Sequence, residues 1–442
     1  MIATNGNGAG PIIPRRRWPL PPGDEARIGL AGEFVRLVEP HSEADPAALL
    51  VQFLAAFGNV IGRSAGFMAE GDFHGTNVNV AIVGRTSKAR KGTSWGRVRE
   101  AMAFVDGDWT RTCVTSGLSS GEGVVWRVRD EVVTRRRAKK GETGDSDGYI
   151  SEVTDPGISD KRLLVIEGEL AQALRVMRRE GNTLSVTVRN LWDSGTQGSL
   201  TKNTPARTTG AHVSVIGHIV AGELKRELTA TDAANGFANR FLFVCAKRSK
   251  LLPDGGCVPV GELEKLARRV KIMADHAQTV GVLERNGEAR TLWHAEYERL
   301  SEGGLGLVGA ITGRAEAQVM RLAVIYALLD TKARKGPIIH VEHLRAALAV
   351  WDYCSRSVAY IFGEAVGDPV ADAILAALQA TPDGMKRSEI RADLLGRHTK
   401  AERLDIALSS LAAAGLAASH SVATSGRPAE IWCAVSAREG SE

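Results

Sequence analysis

The pattern of apolar and polar positions alternates between short buried runs and helical stripes. Val80-Ala81-Ile82-Val83, Leu163-Leu164-Val165-Ile166, Val213 to Ile216 and Phe241 to Val244 are near-continuous apolar runs of strand length. Such runs suit strands covered on both faces, as in a parallel sheet flanked by helices. Thr112-Cys113-Val114-Thr115 reads as a further strand, giving about five in all. Between the runs, apolar residues recur three or four apart: Trp95, Val98, Met102 and Val105; then Leu170, Leu174 and Met177; then Val188, Leu191 and Trp192. Strands alternating with helices predict an α/β fold with a mainly parallel sheet.

Ahead of this core, Leu30, Phe34, Leu37 and Val38 form one stripe. Asp45-Pro46 then opens a second helix, a capping side chain followed by proline at the first helical position. Glu131 to Asp160 carries Arg135-Arg136-Arg137 and an acidic Gly/Ser/Asp-rich tract, and reads as a solvated excursion. Beyond Lys250 the pattern is mostly helical through Phe362, with Gly313 to Leu329 as one long helix. From Val370 the order is helix, short strand at Met385-Lys386, helix, helix and two strands around Ser421 to Pro428, the pattern of a winged helix-turn-helix.

At 442 residues and 44% hydrophobic, the chain can bury several cores, and the length suggests two to four domains. A net charge of +5 makes any nucleic-acid surface local rather than global. Cys113, Cys245, Cys257, Cys354 and Cys433 include no C-x-x-C pair, which points to a reduced cytoplasmic setting without structural zinc. His340 and His343 flank a helix start, where capping or packing explains them better than a metal. No run approaches membrane-spanning length, and Met1 to Pro22 lacks the apolar core of a signal peptide.

The candidate chemistry centres on Arg85 to Ser94. A buried strand breaks at Gly84, a cationic loop with Lys88, Arg90, Lys91 and Gly92 follows, Thr93 and Ser94 supply hydroxyls, and the helical pattern begins at Trp95. A glycine-bounded loop entering a helix N-terminus is an anion site. The spacing departs from the standard phosphate loop, because Lys91 stands seven positions after Gly84 and Gly92 separates it from Thr93. A basic surface loop is the competing reading. Past the strand at Arg162 to Ile166, Glu167 and Glu169 stand where acids that hold Mg²⁺ and activate water belong, although acids there also cap helices. His218 stands at the end of the next strand, where a polar sensor of the nucleotide would lie, or a structural histidine. Arg240, between a turn and a strand, is a candidate to reach a neighbouring subunit's phosphate, or a partner in an internal ion pair. Arg314 and Arg321, seven apart on one helix face, are candidate second sensors. Lys202 and Arg207 lie in a polar excursion and are candidate DNA contacts; Lys400 and Arg403 of the third winged-domain helix, with Arg427 on the wing, are others. Winged domains also dock proteins.

Together these segments resemble a family of phage- and plasmid-associated, helicase-like P-loop ATPases. The likeness is carried by Val83 to Ser94, Gly117-Leu118-Ser119-Ser120-Gly121-Glu122-Gly123, Glu167-x-Glu169, Glu180 to Ser185, Thr201-Lys202-Asn203, Gly210 to His218 and Asn235 to Phe241, and covers roughly Gly29 to Phe362. It implies a RecA/AAA-like P-loop core. The expected divisions are a flexible arm (1–24), a helical N-terminal cap (25–65), the ATPase core (66–250), a helical lid (251–363) and the winged helix-turn-helix (370–437). It further implies ATP and Mg²⁺ as ligands, with Lys91 or Lys88 on the phosphates, Thr93 or Ser94 on the metal, and Glu167 and Glu169 on metal and water. The implied function is an ATP-driven DNA motor in replication or mobile-element biology, a ring homo-oligomer such as a hexamer, with a primase or replication partner. The alternative is a DNA-binding adaptor whose P-loop domain is a non-hydrolysing scaffold.

Overall fold

The computed structural model describes residues 17–139, 142–143, 145–198, 206–304, 306–331, 336–363, 368–395, 400–413, 415–422 and 428–435. Helices α1 (Gly29–Val38) and α2 (Pro46–Val60) open the chain, the second capped by Asp45, which accepts the Ala47 N–H at 2.9 Å. Almost every residue of α2 is buried, because the helix packs against the sheet rather than sitting apart as a cap. Strands β1 (Ala65–Ala69) and β2 (Asp72–Gly75) form a hairpin beside it. The expected arm is anchored earlier than the sequence suggests: Trp18 meets Tyr360 edge-on, with ring centroids 5.1 Å apart.

The core follows as β3 (Asn79–Gly84), α3 (Lys91–Val105), α4 (Gly107–Thr112), β4 (Val114–Thr115) and α5 (Gly121–Arg127). An antiparallel ribbon, β5 (Val132–Arg137) and β6 (Tyr149–Asp155), comes next. It replaces the structureless excursion expected there. Opposite charges account for the order: Arg136 pairs with Glu142 and Glu152, and Arg129 grips Asp155 at the base through two bonds of 2.6 and 3.0 Å. The chain continues through β7 (Arg162–Glu167), α6 (Leu170–Met177), α7 (Leu184–Asp193), the short pair β8 (Gln197–Gly198) and β9 (Arg207–Thr208), β10 (His212–Val220), α8 (Ala221–Glu227), α9 (Ala230–Ala234) and β11 (Phe241–Ala246).

Five of these strands form one all-parallel sheet in the order β11-β3-β10-β7-β4. The mixed α/β reading holds. From β3 the chain runs to β4 at one edge, whereas from β10 it runs to β11 at the other. Adjacent strands that send their chains apart open a crevice beyond their carboxyl ends, the usual ligand position in such sheets. Register sets its floor: Gly84 lies beside Val220, and Glu167 beside Gly217.

After the sheet come α10 (Val260–Ala277), the short strands β12 (Gly281–Val282) and β13 (Glu284–Arg285), α11 (Gly287–Ser301), α12 (Gly306–Thr312), α13 (Ala315–Leu329), β14 (Ile338–Ile339) and α14 (Val341–Phe362). One continuous apolar core runs from Ala26 to Phe362. A separate small core, built on Ile374, Leu378, Leu404, Leu408, Leu411 and Trp432, holds the C-terminal elements. These are α15 (Pro369–Ala380), β15 (Met385–Lys386), α16 (Arg387–Glu389) running into a π-helical turn, α17 (Ala401–Ala413), β16 (Ala417–Val422) and β17 (Ala429–Ala434). The strands pair antiparallel in the order β15-β17-β16. Among the described residues no helix is long and apolar enough to cross a membrane.

Candidate phosphate site at the carboxyl edge of the sheet

The helix that the sequence places from Trp95 begins four residues earlier, at Lys91. Lys91, Gly92 and Thr93 therefore form its first turn, where backbone N–H groups have no intrahelical partner. Arg90 precedes them in the left-handed region, at φ 57°, and supplies no side-chain cap. A non-glycine residue in that conformation is uncommon, and such strain gathers at functional turns. Gly84 makes the turn possible: a Cβ there would stand 2.6 Å from the Ala89 Cβ and 3.1 Å from the Lys91 Nζ.

These residues line one wall of a cavity of about 810 Å³ whose other walls carry Glu169, Arg175, His218 and Glu223. The crevice predicted by the strand order is thus a real space, and it gathers Lys91, Gly92, Thr93, Glu169 and His218. A Cβ on Gly92 would meet nothing within 4 Å. Lys91 is largely buried, its Nζ donates to the Thr86 carbonyl at 3.3 Å, and burial holds its pKa below the ordinary value, with Glu223 opposing. Arg85 and Lys91 face Glu169 and Glu223 there, while Arg90 and Arg175 are engaged by Glu43 at 2.5 Å and Glu227 at 3.6 Å. The set fits a phosphate: an uncapped helix start, a desolvated ammonium and space beside the glycine.

A polar relay beneath the cavity fixes two neighbours. Gln52 of α2 donates to the Ala48 carbonyl at 3.0 Å and the Ser94 Oγ at 2.6 Å, which turns its Oε1 to His218 Nε2 at 3.1 Å. His218 is therefore the Nε2–H tautomer, and burial, reinforced by Lys91, pushes its pKa down to about 4. Ser94 donates in turn to the Lys91 carbonyl at 2.6 Å. Its hydroxyl is thus spent, whereas Thr93 stays exposed to the cavity. His218 lies within β10, which runs two residues past it to Val220.

Several predicted residues fall elsewhere. Glu167 is 9% exposed, and its Oε1 accepts the N–H groups of Gly117 and Leu118, both at 2.7 Å. It fastens the loop after β4, and Glu169 faces the cavity in its place. Lys88 is exposed and does not line the cavity; Arg90 borders it but bonds Glu43 at 2.5 Å. Arg240, Arg314 and Arg321 are drawn to the opposite, amino edge of the sheet. Strand β11 begins one residue after Arg240, in register with Asn79, so this edge is roughly 17 Å from Gly84 at strand rise. Arg240 is buried and pairs with Asp193 at 2.5 Å; Arg314 precedes α13 and reaches Asp193 at 3.6 Å. Arg321 is fully buried, bonds the Gly75, Asn77 and Trp192 carbonyls, and stacks over Trp192 at 3.8 Å. Burial lowers its pKa to about 9. These arginines brace the fold; none of them reaches the cavity.

The expected DNA contacts are likewise redistributed. Arg207 is exposed on β9, ahead of β10 and so at the amino edge. Lys202 and Arg427 lie outside the described residues. Arg403 is half-exposed but engaged by Asp368 at 2.6 Å, and Lys400 is exposed just ahead of α17. The exposed face of α17 beyond it carries Glu402, Ile406, Ser409 and Ala412, with no basic residue. His340 and His343 cap α14 as expected: His343 Nδ1 accepts the His340 N–H at 3.1 Å, and its Nε2 meets Asp330 at 3.3 Å. These hydrogen bonds account for the approach of Asp330 and His343 beside Glu342.

Arg85 and Thr86 lie in the candidate loop but were given no role there, and Arg175, Glu223 and Gln52 were not singled out by the sequence. The only signal for Gln52 was a polar residue inside an otherwise apolar helix. Against known proteins, the chain matches no family model and no curated protein.

Proposed function

We propose that the protein is a nucleotide-binding P-loop ATPase of the RecA/AAA-like type that works on DNA as an oligomer. The observation that carries the reading is the uncapped N-terminus of α3, where Lys91, Gly92 and Thr93 face Glu169 across a cavity at the strand-order switch point. Counting only the five sheet strands along the chain, their spatial order is fifth, first, fourth, third, second, which is the order of AAA-type cores and supports the assignment. In this reading Lys91 and the first-turn N–H groups bind the β- and γ-phosphates of ATP. Thr93 and Glu169 hold Mg²⁺, which neutralises developing charge, and Glu169 also orients the attacking water. The helix–strand–helix–helix–strand–strand order of the C-terminal unit supports a winged helix. The non-basic face of α17, with Ile406 exposed among Glu402, Ser409 and Ala412, favours that unit as a docking module over a base reader.

One observation favours the alternative, a nucleotide-responsive scaffold without turnover: Glu167 is committed to two backbone N–H groups. The test measures ATP binding and hydrolysis, with and without single-stranded DNA, for the parent, Lys91→Ala, Glu169→Gln and Glu167→Gln. The motor reading expects Lys91→Ala to lose binding, and Glu169→Gln to keep binding but lose turnover. Binding in the parent with no turnover leaves the scaffold, and equal ATP affinity in parent and Lys91→Ala removes the site altogether.

A further inference from the structure

A second cavity, of about 700 Å³, lies on the other flank of α3 against the edge strand β4. Trp95 and Arg99 of α3, Thr110 and Arg111 of α4 and Ser116 after β4 line it, and Gly168 borders both this space and the phosphate cavity. No carboxylate lines it. Arg111 pairs with Asp108 at 2.7 Å, but both side chains are more than two-thirds exposed and such a pair contributes little. Arg99 is exposed and has no ion pair among the described residues. Trp95 is half-buried, one side against the core and one toward the cavity. The wall at Ser116 is held firm because the next two residues, Gly117 and Leu118, donate to Glu167.

Two guanidinium groups without lining counter-charge, hydroxyl donors and one indole in the same space are what a nucleotide unit requires. Arginine takes phosphate, and an indole offers a stacking platform for any base. We propose that this cavity binds one nucleotide unit of a single-stranded polynucleotide running along the open edge of the sheet, with phosphates on Arg99 and Arg111 and a base on Trp95. The edge position decides between a strand and a free nucleotide, because among the described residues no strand pairs with the outer side of β4 and a chain can enter and leave. The proposal stands apart from the phosphate cavity and survives if Lys91 binds nothing.

The test titrates the full chain with a fluorescein-labelled oligothymidylate, and separately with ATP and with pyrophosphate. Arg99→Glu combined with Arg111→Glu is expected to weaken oligothymidylate binding at least about tenfold and to reduce the salt slope by about 1.4, the value for two phosphates on a single strand. Trp95→Phe should retain most of the affinity that Trp95→Leu loses, at unchanged melting temperature. Lys91→Ala should leave oligothymidylate binding as in the parent, which separates this site from the first. Equal oligothymidylate affinity in the parent and the double variant overturns the proposal. So does a loss confined to pyrophosphate, which makes the space a free-anion site.

Discussion

Lys91 is held where it costs the free protein stability. Its ammonium is largely buried, burial lowers its pKa, and its hydrogen-bond acceptor is a neutral carbonyl rather than a carboxylate. Groups poised in this way await an opposite charge. Replacing Lys91 by the similarly shaped methionine should therefore leave thermal stability unchanged or raise it by about 1 kcal/mol, while ATP affinity is lost. Calorimetric melting and nucleotide titration of the same variant check this, and a destabilised variant would assign Lys91 a structural role. Gly92 permits the complementary test. A methyl group there meets no protein atom, and alanine is favoured over glycine in a helix by up to about 1 kcal/mol. Gly92→Ala should melt slightly higher and, on the proposed function, bind ATP more weakly, because the methyl intrudes on the open space beside the helix start.

At the scale of elements, the two acids after β7 divide the work by direction. Glu167 ends the strand and points to the Gly117-Leu118 loop, whereas Glu169, past Gly168, leads into α6 and faces the cavity. Charge-assisted bonds to backbone N–H groups contribute roughly 1.5–3 kcal/mol each. Glu167→Gln should therefore lower stability by about 2 kcal/mol in urea unfolding, and Glu169→Gln should not. Equal midpoints for the two variants would remove the division. The sequence could display both carboxylates but not this choice, since residues two apart at a strand end differ only in the neighbour each meets. The strands themselves were readable, because continuous apolar runs have few other uses. The strand–loop–helix order around Arg85 to Ser94 was readable, although the helix start at Lys91 was hidden by Gly92, a poor helix former. The arginines misled for the same reason as the acids. Arg240 and Arg321 sit beside the right strands and helices, but at the amino edge, and only Trp192 and Asp193 reveal what draws them there. Asp193→Ala removes the carboxylate partner of the buried Arg240, which keeps the Gly236 carbonyl, and should cost about 2 kcal/mol with ATP affinity intact.

Across the whole molecule, the buried histidines tie stability to pH. His212 donates from Nε2 to the Gly58 carbonyl at 2.8 Å, and burial pushes its pKa to about 3; His218 lies near 4 for the same first cause. Unfolded, both titrate near 6.5. Between that value and their folded ones the unfolded chain binds more protons, so stability increases with pH and is lost as pH falls through the window. The two together should lower unfolding free energy by several kcal/mol between pH 6.5 and 4, on the order of 3 kcal/mol each. Urea midpoints measured at steps across this range check the slope, and a flat profile would show that neither histidine is held neutral. His218 also joins this global property to the cavity, because it borders the same space as Lys91. An anion bound there stabilises the imidazolium and raises its pKa toward the unfolded value, shrinking that histidine's part of the slope. Saturating pyrophosphate should thus flatten the acid limb for the parent, and leave it unchanged for Lys91→Met, in which the anion no longer binds beside His218.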